Sequence, residues 1–95
     1  MKRVTFIPAD SAKGKLTTEG GKGFGPPTLK DMQEYVEGYV EHLTVEVGGK
    51  RAHLFVNEDG RMKNLPLNER ASAIYGRDAI FGNAILIEGF RDNEL

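Results

Sequence analysis

A chain of 95 residues, 39% hydrophobic and 28% charged, makes one globular domain over residues 1–95 and leaves no room for a second core. The absence of cysteine excludes disulfides, thiolate nucleophiles and sulfur-ligated metals, and the apolar run before Pro8 is too short for a leader or a membrane span, so a cytoplasmic protein is expected. The net charge of −1 divides unevenly, because Lys2, Arg3, Lys13, Lys15, Lys22 and Lys30 outnumber Asp10 and Glu19 over residues 1–30. A basic arm before an acidic body suits an anionic partner such as a nucleotide; nucleic acid is not favoured, since its domains are usually more basic.

Arg3 to Ala9 is apolar, β-branched and bounded by Pro8 and Asp10, which predicts a first strand at a sheet edge. Ser11 to Pro27 has no sustained periodicity and holds Gly14, Gly20, Gly21, Gly23, Gly25, Pro26 and Pro27, so 11–27 is expected to be a flexible Gly/Pro/Lys-rich arm or long loop. Thr28 caps a helix that carries Leu29, Met32, Tyr35 and Val36 on one stripe, ends near Glu37 and is closed by Gly38 in the left-handed conformation.

Tyr39 to Val47 alternates as a strand, and Gly48-Gly49 turns it into a hairpin. The turn sets Val47 opposite Lys50, Glu46 opposite Arg51, Thr44 opposite His53 and His42 opposite Phe55. Leu43, Val45, Ala52, Leu54 and Val56 then form the core face, and His42, Thr44, Glu46, Arg51, His53 and Phe55 the other. Asn57 to Gly60 reverses the chain into a short strand, Arg61 to Leu65; Asn68 caps a second helix from Glu69 to about Tyr75, closed by Gly76. Ile80 to Gly89 is a final strand, bent near Gly82. The order β-α-β-β-β-α-β predicts an α+β fold, an antiparallel or mixed sheet of about five strands with two short helices on one face.

His42 and His53 stand diagonally on one sheet face, near enough to share a ligand. A metal would need a third donor, Glu41 or Glu46, and without a dense ligand cluster the histidines read as exposed strand residues; neither metal nor cofactor is expected. Gly20 to Gly25 lacks the Gly-Lys-Ser/Thr step into a helix that a phosphate loop requires. Two partner-binding surfaces remain. One is the arm, closing over an anion with Lys13, Lys15 and Lys22 as charges and Phe24 as a stacking face; the other is the His42, Arg51, His53 and Phe55 face, where an exposed Phe55 would favour a partner or a homodimer. Glu41 falls on the core face, as a marginal residue, an ion-pair member or a functional acid. No spacing identifies a catalytic triad or acid pair, so no catalytic residue is assigned.

Leu29, Gln33, Val36, Gly38, Tyr39 and Glu41, then Leu65, Pro66, Asn68 and Ala71, then Ile80, Gly82 and Ala84 follow a pattern that resembles the family named domain of unknown function 3846, found in bacteriophages, plasmids and bacteria. The resemblance spans roughly residues 28–89, departs at Glu37, where the family often has a second glycine, and leaves out the arm. It implies a mobile-element origin. The function expected is therefore a non-enzymatic binding protein of a bacteriophage or mobile element, inhibiting a host or defence component by occlusion or sequestration. The alternative is a small nucleotide-binding protein or phosphoester hydrolase using His42, His53 and Glu41.

Overall fold

Two glycines in the left-handed region, Gly48 at φ 59° and Gly49 at φ 79°, close the hairpin between β3 (Val40–Val47) and β4 (Lys50–Asn57). Its register is the expected one, with Thr44 opposite His53 and His42 opposite Phe55. The computed structural model describes residues 1–21 and 23–95. In it the far edge of β4 pairs with β5 (Ala84–Glu88), β5 with β1 (Lys2–Ile7), and β1 with β2 (Leu16–Gly20), giving one five-stranded sheet of order β2-β1-β5-β4-β3 with every pairing antiparallel.

Two expectations change at this edge. β1 is interior rather than marginal, and β2 lies inside the segment 11–27 that reads as an arm. Glycine and lysine mask a β-branched pair there: Thr17 bonds Thr5 through their hydroxyls at 3.1 Å, and Glu19 pairs with Arg3 at 2.7 Å. Arg61 to Leu65, expected as a strand, is instead a run of turns, with the Lys63 amide donating to the Asp59 carbonyl and that of Leu65 to Gly60. β4 finds its second partner in β5. The observed order is thus β-β-α-β-β-α-β, still five strands and two helices.

The helices α1 (Leu29–Val36) and α2 (Glu69–Tyr75) cover opposite faces of the sheet, not one. Side chains alternate along each strand, so Ile7, Leu54, Val56, Ala84 and Leu86 pack with Ala71 of α2. Val4, Phe55, Ile85 and Ile87 pack with Met32 and Val36 of α1. The central strands are apolar on both sides, as a doubly covered sheet requires. No helix among the described residues is long and apolar enough to cross a membrane.

Side-chain amides tie the layers together. Asn68 caps α2 by accepting from the Ala71 amide, and its Nδ2 donates to the carbonyls of Ile7 and Gly82 at 3.0 Å each. Asn57 donates to the Val36 carbonyl at the end of α1. There Glu37, at φ 66°, takes the left-handed position expected of Gly38. Gly38 is required for a different reason: a Cβ on it would meet Asn57 Nδ2 and Lys63 Nζ at 2.8 Å.

Candidate functional site

The hairpin register puts His42 and His53 diagonally on one face of the sheet, the face that α1 covers, and their rings close to a hydrogen bond of 2.8 Å between His42 Nε2 and His53 Nδ1. His42, exposed on the edge strand, stacks on Phe55 with ring centroids 4.7 Å apart and planes inclined by 13°. His53 is only 1% exposed. On its far side, Nε2 lies 3.4 Å from Asp92 Oδ1, and the other carboxylate oxygen of Asp92 holds Arg51 at 3.0 Å. Asp92 begins a 3₁₀ turn, Asp92–Glu94, fastened to β1 by an ion pair of 2.9 Å between Lys2 and Glu94.

The result is a chain of groups, Asp92 to His53 to His42, running from a carboxylate through a buried imidazole to an exposed one. Burial pushes the His53 pKa below its ordinary value, assisted by His42 and Arg51 and opposed by Asp92 and the Phe90 carbonyl. Its burial thus favours the neutral ring. Nε2 of His53 faces the Asp92 carboxylate; a hydrogen placed on that nitrogen would leave Nδ1 as a lone pair and make His42 Nε2 the donor between the rings.

Beside His42 opens a cleft of about 390 Å³ whose walls include Pro26, Pro27, Leu29, Met32 and Phe55. Two prolines from the end of the 11–27 segment thus form one wall, and the first turn of α1 another. Asp92 closes the cleft from the C-terminal side.

The expected partner-binding residues separate. His42, Arg51, His53 and Phe55 are contiguous, but their face is not an open surface: Phe55 is 7% exposed, buried under α1 with Phe90, so it offers no patch to a partner or a second copy. Phe24 packs into the same core, 6.2 Å from the Phe90 ring, and is seated on Gly20 rather than free to stack on a ligand. Lys13 and Lys15 are exposed beside β2, at the sheet edge opposite β3, and Lys22 lies outside the described residues. Four strand spacings of about 4.8 Å separate the two edges.

Glu41 alternates with His42 and faces the other side, where it borders a cleft with Arg61 and Asp78; it cannot act with the histidines. Among the described residues no group of three or more His, Cys, Asp or Glu could hold a metal ion. The carboxylate that does reach the histidines, Asp92, carries no signal in the sequence. It sits in the polar run Arg91-Asp92-Asn93-Glu94, 39 positions after His53, and only the return of β5 beside β4 brings it there.

A scan against family models finds one described as Domain of unknown function (DUF3846), matching residues 3–94. The match extends past the 28–89 expected and takes in the 11–27 segment. Neither the curated proteins nor the solved structures contain a match.

Proposed function

The chain belongs to the family of Domain of unknown function (DUF3846), and from its cleft we propose that it is a non-enzymatic binding protein that encloses a small ligand between α1, the sheet and the C-terminal turn. The observation that carries this is the cleft of about 390 Å³, apolar along Pro26, Pro27, Leu29, Met32 and Phe55, with a histidine on its wall. A concave, largely apolar site with few convergent polar groups is the usual form of a ligand pocket. The role we assign is sequestration of a host or defence component in the host cytoplasm, by a protein of phage or mobile-element origin. Its support is the small size of the domain together with a ligand-sized cleft.

The experiment is to incubate the protein with a host small-molecule extract, wash, denature, and identify what was retained by mass spectrometry. Leu29 is 57% exposed, so Leu29→Trp should fill the cleft without disturbing the core. A compound retained by the wild type and lost from Leu29→Trp is expected. Equal retention by both proteins, or none by either, sinks the proposal.

A second reading is favoured by one observation, the Asp92–His53–His42 series, a carboxylate 3.4 Å from one imidazole that is hydrogen-bonded to the next, which is the arrangement of a positioned acid or base. Turnover of a nucleotide or phosphoester that disappears in His42→Ala would replace binding by catalysis, with Asp92 in the place expected of Glu41.

A further inference from the structure

We propose that the cleft selects a flat, mostly apolar ligand bearing an N–H or O–H donor, as in an indole, a phenol or a heterocyclic base, which donates to Nδ1 of His42. The inference rests on the cleft being the binding site and adds the chemistry of its ligand. Nε2 of His53 faces Asp92 Oδ1 at 3.4 Å; a hydrogen placed there leaves His53 Nδ1 bare, the 2.8 Å bond then requires a hydrogen on His42 Nε2, and Nδ1 of His42 is the lone pair offered to the ligand. That nitrogen makes no hydrogen bond among the described residues. The ring cannot flip to offer a donor instead without breaking the 2.8 Å bond to a partner that is 1% exposed. His42 is also held in plane by Phe55, so the acceptor is fixed in direction as well as in kind.

The shape of the ligand follows from the walls. Pro26 and Pro27 present rigid rings, and Met32 and Phe55 line the same cleft. Such surfaces favour a planar group that fills the space at little entropic cost. Selection by His42 opposes simple hydrophobicity: replacing the ring N–H of a ligand by N–CH₃ increases its apolar area but removes the donor.

The test uses indole and 1-methylindole as probes, with long-range ¹H–¹⁵N spectra of the histidine rings recorded at about pH 8, above the imidazole range. The free protein should show His42 and His53 both protonated at Nε2 and bare at Nδ1. A hydrogen on His42 Nδ1 overturns the inference whatever the ligand. In titrations followed at cleft amides, indole should bind about threefold to tenfold more tightly than 1-methylindole, the worth of one hydrogen bond. His42→Phe, which keeps the stack on Phe55, should abolish or reverse that order. Equal or reversed binding by the wild type overturns donor selection while leaving the cleft as the site. Binding of neither probe at millimolar concentration overturns the cleft reading itself, and this inference with it.

Discussion

His53 is buried with its charge suppressed, and that makes stability depend on pH in a fixed direction. The folded protein resists protonating it, whereas the unfolded chain takes up a proton at the ordinary imidazole value of 6.5. Protonation therefore favours unfolding: stability is level above this range and falls as the pH drops from 6.5 toward the depressed folded value. Urea midpoints at about pH 7.5 and 5.5 should differ in the wild type, and His53→Gln should flatten this part of the profile. Asn68 is fully buried, and its side chain makes three hydrogen bonds joining α2, β1 and the approach to β5. Asn68→Ala should lower stability by about 2–4 kcal/mol, because it removes a cap and strands two carbonyls in the interior. A loss under 1 kcal/mol in urea unfolding, on the order of a cap alone, would show that the two carbonyls find water.

The end of α1 shows how one element can be located correctly and explained wrongly. A glycine after an amphipathic stretch reads as the left-handed cap, and the helix does stop there, yet Glu37 adopts φ 66° and Gly38 admits the side chains of Asn57 and Lys63. Propensity sees one residue at a time, and the crowding comes from the 57–63 turn. Glu37→Gly should raise stability by about 0.5–1 kcal/mol, since glycine adopts positive φ without strain. Gly38→Ala should lower it by about 1–3 kcal/mol, because Lys63 can move aside but Asn57, bonded to the Val36 carbonyl, cannot. Thermal unfolding of the two variants checks both signs; a destabilised Glu37→Gly would mean that the carboxylate makes a contact worth more than the strain.

For the molecule as a whole, the 11–27 segment shows no periodicity in the sequence, yet Leu16–Gly20, Phe24, Pro26 and Pro27 are built into the fold. β2 completes one edge, Phe24 plugs the α1-side core, and Pro26-Pro27 wall the cleft, so removing the plug should loosen the edge first. In Phe24→Ala, the amides of Leu16–Gly20 should exchange faster by at least tenfold, an opening cheaper by about 1.4 kcal/mol, while β3 and β4 keep their protection. Uniform acceleration across the sheet would instead make the segment part of the global folding unit. The same segment separates the two halves of the expected binding surface: Lys13 and Lys15 stay at one sheet edge, while Pro26 and Pro27 line the cleft beside His42.

Local rules sufficed wherever a feature depends on neighbours in the chain. The hairpin register at Gly48-Gly49, the caps at Thr28 and Asn68, the α+β class and the adjacency of His42 and His53 follow from side-chain period and turn chemistry, which act over a few residues. Strand order, the placement of α1 and α2 on opposite faces, the burial of Phe55 and the arrival of Asp92 at His53 depend on which edges find each other across long stretches of chain. Period 2 states that a strand has two faces, but when both are apolar it cannot say which helix covers which. The fold settles that by burying both, and in doing so it makes an exposed-looking histidine pair into one buried ring and one exposed ring hydrogen-bonded to it.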